Sequence, residues 1–235
     1  MSPEEYSSVR GYYERPQPTE NAPLSEKFTY WYPLVMASIA SRKRMAIVSA
    51  IAEHPEGVHF LEMHASYRRF AGLSEVYDKS EKQEDHSAIF GAIVPLHNTH
   101  LITYGSNFSH KLTDTGKKLL LPILPKVQEL YQKGIISENR LGNQVNGIDM
   151  TIHVLFALDQ KKMSYTQLYD TLMIFPMVDE KRIIRVLDKL TDTDTTEEPP
   201  LIRDDGHTIQ LTSDGQRFLD TFLKPVAGQL ALLLQ

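Results

Sequence analysis

The sequence predicts a mainly helical α+β protein built as two copies of one small domain, each copy carrying a β-hairpin. Three observations predict it. Three blocks of the first half recur, in the same order, in the second half. Apolar residues in the block that opens each copy fall at helical spacing, at Ile47 and Ile51 and again at Ile152 and Phe156. Each copy then closes with a strand–turn–strand pattern running into Leu-Thr-x-x-Gly, at Leu112 to Gly116 and at Leu211 to Gly215.

A length of 235 residues suits two domains of ordinary size. With 41% hydrophobic and 23% charged residues, the composition is that of a soluble globular protein with apolar material for real cores. No run approaches the roughly 20 apolar residues of a membrane-spanning helix. The start, Met1-Ser2-Pro3-Glu4-Glu5, has neither the basic residues nor the apolar stretch of a secretory signal. Cysteine is absent, which excludes disulfides, iron–sulfur clusters, thiolate zinc sites and a cysteine nucleophile. The expected location is the cytoplasm, and the nucleoid if the host is prokaryotic. A net charge of −5 argues against a non-specific nucleic-acid coat. It is compatible with a sequence-specific regulator that gathers a few cations on one face.

Residues 1–27 are rich in Glu, Pro, Ser and Tyr without periodicity and read as a mobile arm. Phe28 to Met36, which holds the single Trp, is too apolar for a free tail and leads into a short helix on the first domain. In the first matched block, Met45 to Ala52 aligns with Met150 to Ala157 and, without a gap, Val58 to Met63 with Met163 to Leu168. In the second, Asp85 to Leu96 aligns with Asp179 to Leu190, each opening on an Asp suited to an N-cap or first turn. Pro95 disturbs the end of the first of these helices. In the third, Leu112 to Leu120 aligns with Leu211 to Leu219, each after a hairpin, with turns at Gly105-Ser106-Asn107 and at Asp205-Gly206. The order is helix, helix, helix, hairpin, helix, twice. The copies differ in loops: a charged connection at 78–84 in the first, and an approach to the hairpin at 191–200 in the second.

This order, closed by Leu-Thr-x-x-Gly-x-x-x-Leu, resembles the winged-helix family, in particular the domains of MarR-like and PadR-like regulators. The resemblance implies two tandem winged-helix domains, at 28–135 and 148–235, joined by a linker at 136–147. It implies that the third helix of each domain reads double-stranded DNA and that the hairpin is the wing. Tandem pairs also occur in plasmid replication initiators and in scaffolds that bind no DNA, so the fold alone does not settle function.

The third helix of the second copy carries an apolar stripe, Ile183, Val186, Leu187 and Leu190. Lys181, Arg182, Arg185 and Lys189 lie opposite it at spacings of three and four. Arginine bonds bidentately to guanine edges and lysine more often meets phosphate, so these four are the candidate reading residues. The alternative is a solvated face with Asp179, Glu180 and Asp188 as intrahelical partners. The matching helix of the first copy has no Lys or Arg between Asp85 and Leu96. Candidate phosphate contacts of that copy are Arg42, Lys43, Arg44, Arg68, Arg69, Lys111, Lys117 and Lys118, with ordinary surface charge as the alternative. The two halves are therefore expected to be unequal, with the second reading bases. The acidic loop 192–198 would repel phosphate and must point away if the second hairpin lies on DNA.

Seven histidines fall in the first copy, at 54, 59, 64, 86, 97, 100 and 110. His97, His100 and His110 have the residue types of a zinc site, but without compact spacing or a carboxylate partner, and scattered imidazoles are the preferred reading. No cofactor and no metal are expected. There is no phosphate-binding Gly-rich loop, no Gly-x-Ser-x-Gly elbow and no evident catalytic carboxylate pair, so an enzyme is not expected. Leu119 to Tyr131 reads as a helical connection bent by prolines, and 142–147 as a hinge. The apolar stretch Phe218 to Leu234 must be covered, by the first copy or by a second subunit. A homodimer would match palindromic DNA, while two heads in one chain allow a monomer. The function expected is sequence-specific DNA binding in transcriptional regulation. The alternatives are a protein-interaction adaptor, binding through the first domain or the C-terminal helix, and a replication initiator.

Overall fold

The computed structural model describes residues 17–39, 41–74, 76–105, 109–134, 148–173, 179–191 and 199–235. The hinge at 142–147, the acidic loop 192–198 and the hairpin tip 106–108 lie outside the described residues. The chain is mainly helical, with two small antiparallel sheets. It divides into two compact units, Met1–Glu138 together with Gly228–Gln235, and Asn139–Ala227. Among the described residues, no helix is long and apolar enough to cross a membrane.

The first unit opens with helix α1, Leu24–Ile39, which begins four residues inside the segment read as an arm. It buries Trp31, Val35, Met36 and Ile39. Helix α2, Arg42–Ala52, follows the N-cap Ser41. Every residue from Arg44 to Ile51 is buried, so α2 runs through the core without a solvent face. Helix α3, His64–Ala71, ends on Gly72 in the left-handed conformation, a common helix stop. Helix α4 runs from Lys79 to His97. It starts earlier than expected because Asp78 and Glu81 form a capping box, each carboxylate accepting from the other residue's amide. The charged connection at 78–84 is thus mostly helix, and Asp85 is an interior, buried residue rather than a cap. Pro95 sits in the last turn without ending the helix.

Strands β1, Ile102–Tyr104, and β2, His110–Leu112, form the hairpin, followed by α5, Asp114–Leu120, and α6, Leu124–Gln132. Helix α6 packs back on its own unit. Tyr131 donates its hydroxyl to the Ile39 carbonyl at 3.2 Å, and Gln128 donates to the Ser49 hydroxyl at 2.8 Å. Lys27 donates from Nζ to the Leu234 carbonyl at 3.2 Å, fastening the chain's last residues to the first unit.

The second unit contains α7, Ile148–Ala157; β3, Lys162–Met163; α8, Tyr165–Leu172; and α9, Glu180–Thr191. It continues with β4, Ile202–Asp204; β5, Ile209–Leu211; α10, Ser213–Phe218; a π-helical turn, Leu219–Leu223; and the start of α11, Lys224–Leu233, whose residues from Gly228 onward belong to the first unit. Ser164 and Gln167 cap α8 reciprocally. The strand order is β3-β5-β4. Phe218, Leu219, Phe222, Leu223, Val226, Leu230 and Leu234 are all buried. The apolar C-terminal stretch is thus covered within one chain, leaving Leu232 as its exposed member.

The units repeat each other at the level of individual hydrogen bonds. Ile102 pairs with Leu112 and Ile202 with Leu211; Tyr104 pairs with His110 and Asp204 with Ile209. Met163 pairs with Ile209 through β3, and Val58 makes the same kind of bridge to His110. The Thr of each Leu-Thr-x-x-Gly motif closes the corner in the same way. Thr113 and Thr212 donate their amides to the carbonyls of Leu101 and Leu201, both at 3.0 Å. Their hydroxyls donate to the carbonyls of His100 and Pro200 and accept from the amides of Gly116 and Gly215. The Gly has a steric reason. A Cβ at position 116 or 215 would overlap the carbonyl oxygen of Leu101 or Leu201.

Candidate nucleic-acid interface

Helix α9 begins where Asp179 accepts at 2.7 Å from the Arg182 amide, a bond that satisfies one of the helix's open N–H groups. Ile183, Val186, Leu187 and Leu190 are buried on one side. Lys181, Arg185 and Lys189 are exposed on the other, at intervals of four, with Arg182 half-buried beside them. Ile184 and Asp188 share the exposed face. Asp179 is used by the backbone, and no ion pair among the described residues engages Lys181, Arg185 or Lys189. The surrounding protein desolvates Lys189 enough to lower its pKa even though its side chain reaches the surface. The face therefore presents guanidinium and ammonium groups along a helix whose other face is anchored.

The hairpin beside it has a different character. Asp205 folds the β4–β5 turn by accepting from the amides of His207 and Thr208 and from the Thr208 hydroxyl. These bonds lower its pKa and keep it ionised. Asp204 and Asp205 are exposed at the tip, so this hairpin would meet phosphate unfavourably. Arg203 on β4 is an exposed cation that periodicity did not single out, because a lone Arg in a three-residue strand carries no pattern.

In the first unit the candidates scatter. Two of them are corrected outright. Arg44 is buried and donates from Nη1 to the Ala37 carbonyl at 2.7 Å. Arg68 is 4% exposed and belongs to a closed network. Its Nη1 meets Asp85 at 2.5 Å, its Nε donates to the Ser74 carbonyl at 2.6 Å, and its guanidinium lies over the Tyr77 ring at 4.7 Å. Asp85 also bonds His64 Nε2 at 2.9 Å, so the network ties α3 to α4. A buried carboxylate explains these placements: it needs a cation, and the nearest helix supplies one. Arg69 is exposed but pairs with Glu53. Lys117 lies 3.6 Å from Asp114, an exposed pair of small energetic weight. Arg42, Lys43 and Lys111 are half-buried and Lys118 is exposed. The α4 face matching the cationic face of α9 shows Ser87, Phe90, Gly91 and Val94 instead.

Of the three histidines considered as metal ligands, His97 and His110 meet, Nε2 to Nδ1, at 2.8 Å, whereas His100 takes a left-handed φ of 58° at the end of the loop before β1. Tyr104 stacks on His97 with ring centres 3.9 Å apart. Burial lowers the pKa of both imidazoles, that of His110 to about 4, helped by the proximity of His97 and His59. Among the described residues, no group of three or more His, Asp or Glu side chains is placed to hold a metal ion. Comparison with protein-family models, with curated proteins and with solved structures finds no match to this chain.

Proposed function

We propose that both units are winged-helix domains and that the protein binds double-stranded DNA sequence-specifically, as a regulator of transcription. Support for the domain reading comes from the helix–strand–helix–helix–strand–strand order of the second unit and its β3-β5-β4 sheet. The first unit repeats it, with the Val58 bridge in the place of β3. The observation that carries the DNA reading is the α9 face, where Lys181, Arg185 and Lys189 project opposite a buried apolar stripe. In this reading α9 lies in the major groove, Arg185 contacts a base edge, and the lysines meet phosphate. The acidic β4–β5 tip stays off the backbone, so recognition rests on the helix. Selection of bound duplexes from a random pool, followed by a salt titration of the winner, tests it. Enrichment of one sequence with steep salt dependence is expected. A pool with no sequence enriched above competitor ends the reading.

A second reading, a protein-interaction adaptor, is favoured by one observation in the first unit. Phe90 is 60% exposed on α4, on a face where Ser87 and Gly91 stand in the places of Lys181 and Arg185. Stoichiometric capture of a partner protein from nuclease-treated extract, without duplex enrichment, would select it.

A further inference from the structure

We propose that His97 and His110 form a chelating site for a divalent transition-metal ion of the zinc and copper class, bound through His97 Nε2 and His110 Nδ1. Three features of the pair point there. The nitrogens already face each other at 2.8 Å from two different elements, the last residue of α4 and the first of β2. Both rings are held from behind. The His110 backbone exchanges hydrogen bonds with Val58, at 2.8 and 3.0 Å, while His97 is stacked on Tyr104. A cation placed there also lies at the C-terminal end of α4, where the helix dipole favours positive charge.

Without metal, one ring donates its N–H to the other. On binding, the donor ring changes tautomer, its proton moving to its other nitrogen, and both facing lone pairs go to the ion. No proton is gained or lost. Zinc–imidazole bonds of about 2.0–2.1 Å in tetrahedral geometry set the two nitrogens roughly 3.3 Å apart, so the rings need to part by about half an ångström and each to turn by roughly 35° from the present near-collinear hydrogen bond to aim its lone pair at the ion. His97, in the last turn of a helix, can supply that movement. Water would supply the remaining ligands. The second unit lacks the site, since Ile209 stands where His110 stands in the first. Such an ion would cross-link the end of α4 to its hairpin, and the inference is independent of the DNA reading.

The test is a titration of the full chain with Zn²⁺, followed by ¹⁵N spectra of the histidine rings. One equivalent should shift His97 Nε2 and His110 Nδ1. His97→Gln and His110→Gln should each weaken zinc binding by about tenfold or more, and His54→Gln, an exposed histidine of the same unit, should leave it unchanged. Zinc that leaves those two ring nitrogens unshifted, or that binds the double variant as tightly as the original protein, overturns the site. The spectra use the unaltered protein, so a variant that folds poorly does not obscure the answer.

Discussion

Gly116 lies so close to Leu101 that a Cβ at position 116 would collide with the Leu101 carbonyl oxygen, and Gly215 stands in the same relation to Leu201. Each glycine sits at the first turn of the helix after a hairpin, and each Leu carbonyl also accepts the amide of the capping Thr. The corner is packed backbone against backbone.

Gly116→Ala and Gly215→Ala should therefore each destabilise the protein, by about 2–3 kcal/mol, as overpacking at a site that cannot yield. Gly91→Ala is the internal contrast. Gly91 is helical, exposed and has open space at its Cβ position, so alanine should stabilise by about 0.5–1 kcal/mol. Urea denaturation of the three variants checks both signs.

Asp85→Asn should cost about 3 kcal/mol, because it leaves the buried Arg68 guanidinium with only the more distant Glu81 carboxylate, 3.7 Å away, as its anion. The double variant Arg68→Met with Asp85→Leu should recover most of the loss. If the single and double variants are equally unstable, the buried pair is not the cause.

Stability should fall with acid. His110 has a folded-state pKa near 4, below the unfolded value of 6.5. The neutral form is thus the folded form. Its contribution is complete above pH 6.5 and is lost progressively as pH falls from 6.5 towards 4, to a total of roughly 3 kcal/mol. Chemical denaturation at pH 7 and pH 4.5, in the presence of a chelator, measures it. His110→Leu should flatten the profile in that window.

On the proposed function, Arg185→Ala should weaken binding to a selected duplex by about 1–3 kcal/mol and relax its sequence preference, whereas Lys117→Ala should have little effect on preference. Arg68→Met should leave preference untouched, since that guanidinium is internal. Gel-shift titrations on selected and scrambled duplexes separate the three.

Much of the architecture was legible because the repeat recorded it twice. Ile183, Val186, Leu187 and Leu190 declared a buried helix face through spacing alone, and all four are buried. The repeated Leu-Thr-x-x-Gly motif marked two equivalent corners, and in both its Thr, Thr113 and Thr212, caps the helix that follows. What stayed illegible depended on contacts between distant residues. Nothing local distinguishes Arg68, which is buried, from Arg69, which is exposed, since only the position of Asp85 one helix away decides between them. The start of α4 was misplaced because two Asp residues compete for the role, and the Glu three residues after Asp78 settles it. The pairing of His97 with His110 required the hairpin register, which spacing does not supply.

The assignment of Gly228–Gln235 to the first unit bears on how the chain is made. Domains generally fold in order as they leave the ribosome. Here the segment that holds the buried Leu230 and Leu234, and that receives Lys27, is synthesised after all of Asn139–Ala227. Of the two units, the one that emerges earlier is thus completed later. A nascent chain stalled within the second unit would leave the first without Leu230 and Leu234 and without the carbonyl that receives Lys27.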